Sequence, residues 1–211
     1  MAIRPSLQKA DPKTFYGAKD QQELVERYDD SADVYDKAMS NDVGWTGHIE
    51  LAAVVGRYVA PDATLLDAGA GTGMLGDELA KLGFSKMDAN DLSPGMLARA
   101  RGKGIYKECR VMELGQPLDY GDDTYDAVVA CGVFTPNHAP ASSLDEMVRI
   151  TKPQGLILYT LRADETPGDF PPKHHELTNA GAWTLVEDCP PFPSIASEPH
   201  IRHQCWVFRV L

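Results

Sequence analysis

The segment LLDAGAGTG, Leu65 to Gly73, is an apolar run that breaks into glycines and leads directly into helix-forming residues. Gly69, Gly71 and Gly73 leave the backbone bare, so a ligand can lie against the turn while the first N–H groups of the following helix face it. Asp91 closes the next apolar segment, KMDANDL. An ionised carboxylate only accepts hydrogen bonds, which suits it to the two ribose hydroxyls of an adenosine. Ser93 and Pro94 follow as an N-cap and a first helical residue, which leaves Asp91 for a ligand. One register later, GTGMLG (Gly71, Gly73, Gly76) satisfies the GxGxxG dinucleotide fingerprint, so an NAD(P)- or flavin-dependent oxidoreductase is a competing reading. Against it stand Asp67, two residues before the first glycine, and the shortage of chain for a second domain to hold a hydride acceptor.

Other side chains offer chemistry further along. His138, in ACGVFTPNHAP, is of the type that takes a proton from an attacking hydroxyl, thiol or amine. Arg162 ends the apolar run GLILYTLR, where it can pair with an acidic acceptor or with a surface carboxylate. His174 with His175, and His200 with His203, invite a metal reading, but adjacent histidines rarely converge on one ion and supporting ligands are not spaced for zinc. No metal is expected, and these histidines read as surface or acceptor-pocket residues. Trp45, Trp183 and Trp206 read as packing residues, with Trp45 in a loop before a helix.

The elements that must position these groups follow from hydrophobic periodicity. Residues 1–20 are polar and carry Pro5 and Pro12, a loose tail; QQELVERYDDSADVYDKAM predicts one or two amphipathic helices, NDVGWTGH a loop, and IELAAVVGRYV a further helix. From there apolar strands alternate with helices of about ten residues. Such spacing demands parallel pairing through right-handed crossovers. The ending differs: a helix HHELTNAG is followed by AWTLVEDC and HQCWVFRVL with only a Pro-rich loop between them, so these last two strands must be antiparallel neighbours.

Composition bounds the rest. With 211 residues, 43% hydrophobic and 24% charged, the chain suits one α/β domain. A formal net charge of −11 opposes a nucleic-acid partner. Cys109, Cys131, Cys189 and Cys205 form no CxxC pair, the amino terminus lacks an apolar run after basic residues, and nothing approaches the ~18 apolar residues of a membrane span. A soluble cytoplasmic protein without a membrane partner is expected. No sequence feature fixes an oligomeric state.

LLDAGAGTG, NDLSPGML, YDAVVACGVF and RITKPQGLILYTLR, in that order, resemble the successive motifs of class I S-adenosylmethionine (SAM)-dependent methyltransferases across about residues 60–162. SPGMLARARGKGIYKECRVMELGQPL also resembles the methyltransferase-like group named for the Williams-Beuren chromosomal region. The resemblance implies a doubly wound, seven-stranded Rossmann-like sheet with a C-terminal antiparallel hairpin. It implies that Gly69, Ala70 and Gly71 lie against the amino-acid part of SAM, that Asp67 orders the turn or the ammonium, and that Asp91 holds the ribose with Leu92 and Met96 on adenine. Where many relatives carry an aspartate for the adenine amine, this chain has Met112 beside Glu113.

The YDDSADVYD run resembles an amino-terminal helix that closes over SAM, with Tyr35 reaching the cofactor's carboxylate and Trp45 in the lid loop. The loop after the fourth strand is where such enzymes place acceptor-facing residues: Cys131 at its cofactor end, then Phe134, Thr135, Asn137 and His138. The expected organisation is a tail over 1–20, a helical lid over 21–60 and a SAM-binding domain over 61–211. The expected activity is methyl transfer from SAM to the O, N or S atom of a small molecule, with His138 as base and Arg162 as anion clamp. Alternatives are the NAD(P)-dependent oxidoreductase and a non-catalytic SAM- or nucleotide-binding module.

Overall fold

A computed structural model of the chain describes residues 18–135 and 138–211, so the first seventeen residues of the expected tail lie outside it, as does Asn137. Its strands are β1 (Leu65–Ala68), β2 (Met87–Asp91), β3 (Cys109–Val111), β4 (Tyr125–Phe134), β5 (Thr151–Arg162), β6 (Trp183–Asp188), β7 (Phe192–Pro193) and β8 (Arg202–Val210). β1 is buried along its whole length, as a strand covered on both faces must be. It pairs in parallel with β2 on one side and β4 on the other. β3 extends the parallel sheet beyond β2, and β5 extends it beyond β4. β8 then runs antiparallel to β5, and β6 antiparallel to β8, giving the order β3-β2-β1-β4-β5-β8-β6.

The sheet has one more strand than the seven that the sequence predicts. β7 arises inside the Pro-rich loop, where Phe192 and Pro193 pair with His203 and Arg202. Pro193 has no N–H to give to a ladder, which fits a strand of two residues at the sheet's edge.

Helices cover both faces: α1 (Gln21–Ser31), α2 (Tyr35–Lys37), α3 (Gly47–Tyr58), α4 (Met74–Lys81), α5 (Pro94–Gly102), α6 (Ser143–Ile150) and α7 (Phe170–Asn179). α1 starts at Asp20, whose Oδ1 accepts from the Glu23 amide at 2.9 Å. α2 continues as a π-helical turn over Ala38–Val43, closed by Gly44 in the left-handed conformation. The expected loop over residues 41–48 is therefore partly helical at both ends. α7 begins at Phe170, four residues before the predicted start. Pro171 and Pro172 occupy its first turn, where a missing N–H costs nothing.

Alternate residues of the central strands feed two cores. Leu65, Ala127, Val129 and Leu158 face Leu51 and Val55 of α3 and Leu75 and Leu79 of α4. Leu66, Val128 and Ile157 face Leu144, Met147 and Ile150 of α6 and Phe170 of α7. Truncating one such leucine to alanine costs about 2–5 kcal/mol. The rigid centre produced by this packing carries the carboxyl ends of β1, β2 and β4 side by side. Among the described residues no helix is long and apolar enough to cross a membrane.

Candidate active site

Beyond β1 the chain turns through Gly69, Gly71 and Gly73 into α4. Gly71 has φ 55°, and a Cβ added there would meet nothing within 4 Å. Its bare backbone therefore faces open space, as a ligand cradle requires. Gly73 and Gly76 differ. A Cβ would lie 3.0 Å from the Tyr106 ring at Gly73 and 2.1 Å from the Tyr106 hydroxyl at Gly76. Two of the three glycines of the GxGxxG register thus make room for a tyrosine of the chain itself, not for a pyrophosphate.

The end of β2 ties this turn down. Asp91 Oδ2 accepts from the Gly71 amide at 2.8 Å, and Oδ1 accepts from the Ser93 amide at 2.9 Å. Beside it the Asn90 side-chain oxygen accepts from the Gly69 amide at 3.1 Å, while its buried Nδ2 has no partner. Burial pushes the Asp91 carboxyl above its ordinary range, against the pull of these backbone donors. Each carboxylate oxygen keeps a second lone pair, so Asp91 can still accept from a ligand. Asp67, 1% exposed, accepts from the Tyr106 hydroxyl at 2.6 Å. Burial raises its carboxyl to about 7.

The amino-terminal segment closes over this ground. Asp29, Asp33 and Asp36 recur at spacings of four and three residues. Asp29 accepts from the Gly95 amide at 2.8 Å and from the Ser93 hydroxyl. Asp33 pairs with Arg99. Asp36 pairs with Lys103 at 2.9 Å and accepts from the Thr72 hydroxyl, beside Gly71 and Gly73. The two ion pairs, being partly exposed, are worth about 0–1 kcal/mol each. Across the cavity, the Tyr28 hydroxyl and His138 Nε2 are hydrogen-bonded at 2.8 Å.

One cavity gathers Tyr35, Trp45, Asp67, Gly69, Ala70, Gly71, Asp91, Leu92, Met96, Met112, Cys131 and His138. Met112 is brought there by its amide, which donates to the Asp91 carbonyl at 3.0 Å. Four residues expected at the site do not line it. Phe134 is 1% exposed and packs edge-on to Tyr159 in the α6–α7 core, on the face of β4 that Val128 and Ala130 already give to that core. Thr135 is buried and supports the loop instead, its carbonyl accepting from the His138 amide at 3.0 Å. Arg162 pairs with Asp164 and Glu165, so its charge is already engaged outside the cavity. Glu113, one residue past Met112, is likewise absent from the lining.

The lining also includes residues that the sequence did not single out. Tyr28 is one, on α1 seven residues before Tyr35 at the start of α2. His48 is another: 6% exposed, with Nδ1 unpartnered and burial lowering its pKa. Trp45 lies against Gly47 and Gly132, where Cβ atoms would be 2.2 and 3.3 Å from its ring. His203 backs that indole edge-on at 4.9 Å between ring centres. It is 3% exposed and bonded to the Ser194 hydroxyl at 2.7 Å, hence neither a surface nor a pocket residue. His174 packs among Trp183, Trp206 and Phe208, bonded to the Tyr159 hydroxyl. Among the described residues no three His, Cys, Asp or Glu side chains are grouped to hold a metal.

Residues 66–159 match the family described as "Methyltransferase domain". Human methyltransferase-like protein 27 is 29% identical over 161 residues, which cover 75% of this chain and 65% of the human protein's length. A chain solved in a complex with the Haloferax volcanii Trm112 methyltransferase activator aligns with a TM-score of 0.65 at 19% identity, covering 92% of this chain and 99% of its own. Burkholderia thailandensis 1,6-didemethyltoxoflavin-N1-methyltransferase, solved with 1,6-didemethyltoxoflavin and S-adenosylhomocysteine (SAH), aligns with a TM-score of 0.64 at 19% identity over 90% of this chain and 86% of its own. These structural likenesses show the fold, with its parallel sheet and antiparallel closing strands.

Proposed function

We propose that this chain, a class I methyltransferase through its central domain, transfers the methyl group of SAM to a small molecule bound under its amino-terminal segment. S-adenosyl-L-methionine is the cofactor, and when bound it supplies an electrophilic methyl group on a sulfonium. The observation that carries the reading is the pairing of an open Gly71 with Asp91, which holds the turn and retains acceptor capacity toward a ribose.

In this reading the Gly69–Gly71 backbone and Asp67 receive the amino-acid part of the cofactor. Met96, Leu92 and Met112 give adenine an apolar bed, and Tyr35 reaches the cofactor carboxylate. Tyr28, Trp45 and His138 face the acceptor. Holding the acceptor in line with the methyl–sulfur bond and excluding water are the main aids that such a displacement needs. His138 takes the acceptor's proton where the nucleophile carries one.

A small acceptor is favoured because residues of α1, the Trp45 loop and the His138 loop line the cavity together. The net charge of −11 argues in the same direction. Arg162 is withdrawn as an anion clamp, since it is paired elsewhere. The lid comprises residues 21–43, because α3 belongs to the core. The test is methyl transfer from labelled SAM to a panel of hydroxyl, amine and thiol acceptors, with bulk RNA and protein as separate arms. Label appearing in small products supports the reading; label confined to RNA or protein contradicts it.

A further inference from the structure

Tyr106 lies in the stretch SPGMLARARGKGIYKECRVMELGQPL without an expected role and does not line the cavity, yet it touches the turn at three places. Its hydroxyl donates to Asp67 Oδ2 at 2.6 Å, and its ring fills the space beside Gly73 and Gly76. The loop that carries it is pinned to β2 by the Lys107 amide, which donates to the Met87 carbonyl at 2.7 Å.

We propose that Tyr106 is a positioning residue for the methyl donor: its ring sets the turn, and its hydroxyl favours the ionised form of the Asp67 carboxyl, which an ammonium-bearing ligand requires. The inference rests on the cofactor reading above, in which Asp67 faces the amino-acid part of SAM. Buried without a donor, a carboxyl holds its proton; one hydrogen bond to the charged form opposes that. Burial and Tyr106 are accordingly the two largest influences on Asp67, acting in opposite directions. The other groups facing it are Asp91 from β2, which raises its pKa, Lys103 after α5, which lowers it, Cys131 of β4 and Cys109 of β3. With burial raising the Asp67 carboxyl to about 7, cofactor binding is expected to release a proton to solvent from part of the molecules at neutral pH.

Calorimetry of the full chain with SAH between pH 6 and pH 8 tests this. The unaltered protein is expected to bind about ten-fold more tightly at pH 8 than at pH 6. Tyr106→Phe, which keeps the ring, should move that rise upward by about one pH unit, so that the variant binds several-fold more weakly at pH 7 and recovers as pH increases. Asp67→Asn should bind weakly with no pH dependence over this range, and Tyr106→Phe should add nothing to it. A Tyr106→Phe profile parallel to that of the parent assigns the tyrosine a packing role alone and overturns the inference. So does a pH dependence that survives in Asp67→Asn, a result that does not require the Phe variant to fold. If the unaltered chain binds no SAH at any pH, the cofactor reading falls and this inference with it.

Discussion

Tyr28 and His138, 110 residues apart in the chain, are hydrogen-bonded across the cavity at 2.8 Å, joining the amino-terminal helix to the loop after β4. The pair places an imidazole beside a phenol where an acceptor would enter. Replacing His138 by alanine should lower kcat by about 10²–10⁴-fold if the acceptor must lose a proton, with little change in SAH affinity. Steady-state kinetics alongside calorimetry separates the two quantities. An unchanged kcat would remove the base role and leave positioning as the main contribution.

The carboxylates of Asp29, Asp33 and Asp36 fasten the same segment to α5 and to the glycine turn. Residues 21–43 should therefore exchange their amide protons faster without SAH than with it, and faster still at high salt. Lys103→Met, which breaks the bond to Asp36 and also that to Asp77, should accelerate exchange in this segment while leaving β1 and β4 protected. Equal protection with and without ligand would make the segment a fixed part of the core.

Asp91 holds the Gly71 amide and, in the proposed function, accepts from a ribose. Asp91→Ala should weaken SAH binding by about 1.5–3 kcal/mol, and Asp91→Asn, which keeps one acceptor oxygen, by less. Binding measured on variants whose circular dichroism matches the parent decides this. Parent-like affinity in the alanine variant would exclude Asp91 from the cofactor.

Asp67 carries a cost in the ligand-free protein. Its folded pKa of about 7 lies above the unfolded value of 3.8, so its contribution is fully present below pH 4 and is lost as pH rises through 7. Asp67→Asn should thus be as stable as the parent at pH 4 and more stable at pH 8, by about 1–2 kcal/mol after allowing for relaxation. His174 and His203, both lowered to about 4 by burial, act in the opposite sense: they withdraw stability as pH falls from 6.5 through 4. Thermal melts of parent and variant across pH 4–8 resolve the two effects. A variant less stable than the parent at pH 8 would mean that the Tyr106–Asp67 bond outweighs the burial of the charge.

The parallel core was legible in the sequence because each of its signals is local. β1 reads as an apolar run because it is buried on both faces, Asp91 ends its strand, and Ser93 with Pro94 announces the next helix. What escaped depends on contacts between distant positions. Tyr106 reaches Asp67 across 39 residues, and no periodicity marks it. Phe134 looked like a pocket residue because it sits among pocket residues in sequence, but it stands at even spacing from Val128 and Ala130 and joins their core. His48 carries no motif, only a place in the first turn of α3. Arg162 is the exception, since Asp164 and Glu165 stand two and three residues away and announced its pairing in advance.

In the proposed function the glycine turn and Asp91 bind SAM rather than a dinucleotide, and parallel titrations of the full chain with SAH and with NADH test this most directly. Tyr106 occupies the space beside Gly73 and Gly76 that close approach of a pyrophosphate would use. Saturable binding of SAH at one site per chain, with no heat from NADH under the same conditions, is the predicted result. Saturable binding of NADH without binding of SAH would contradict the account.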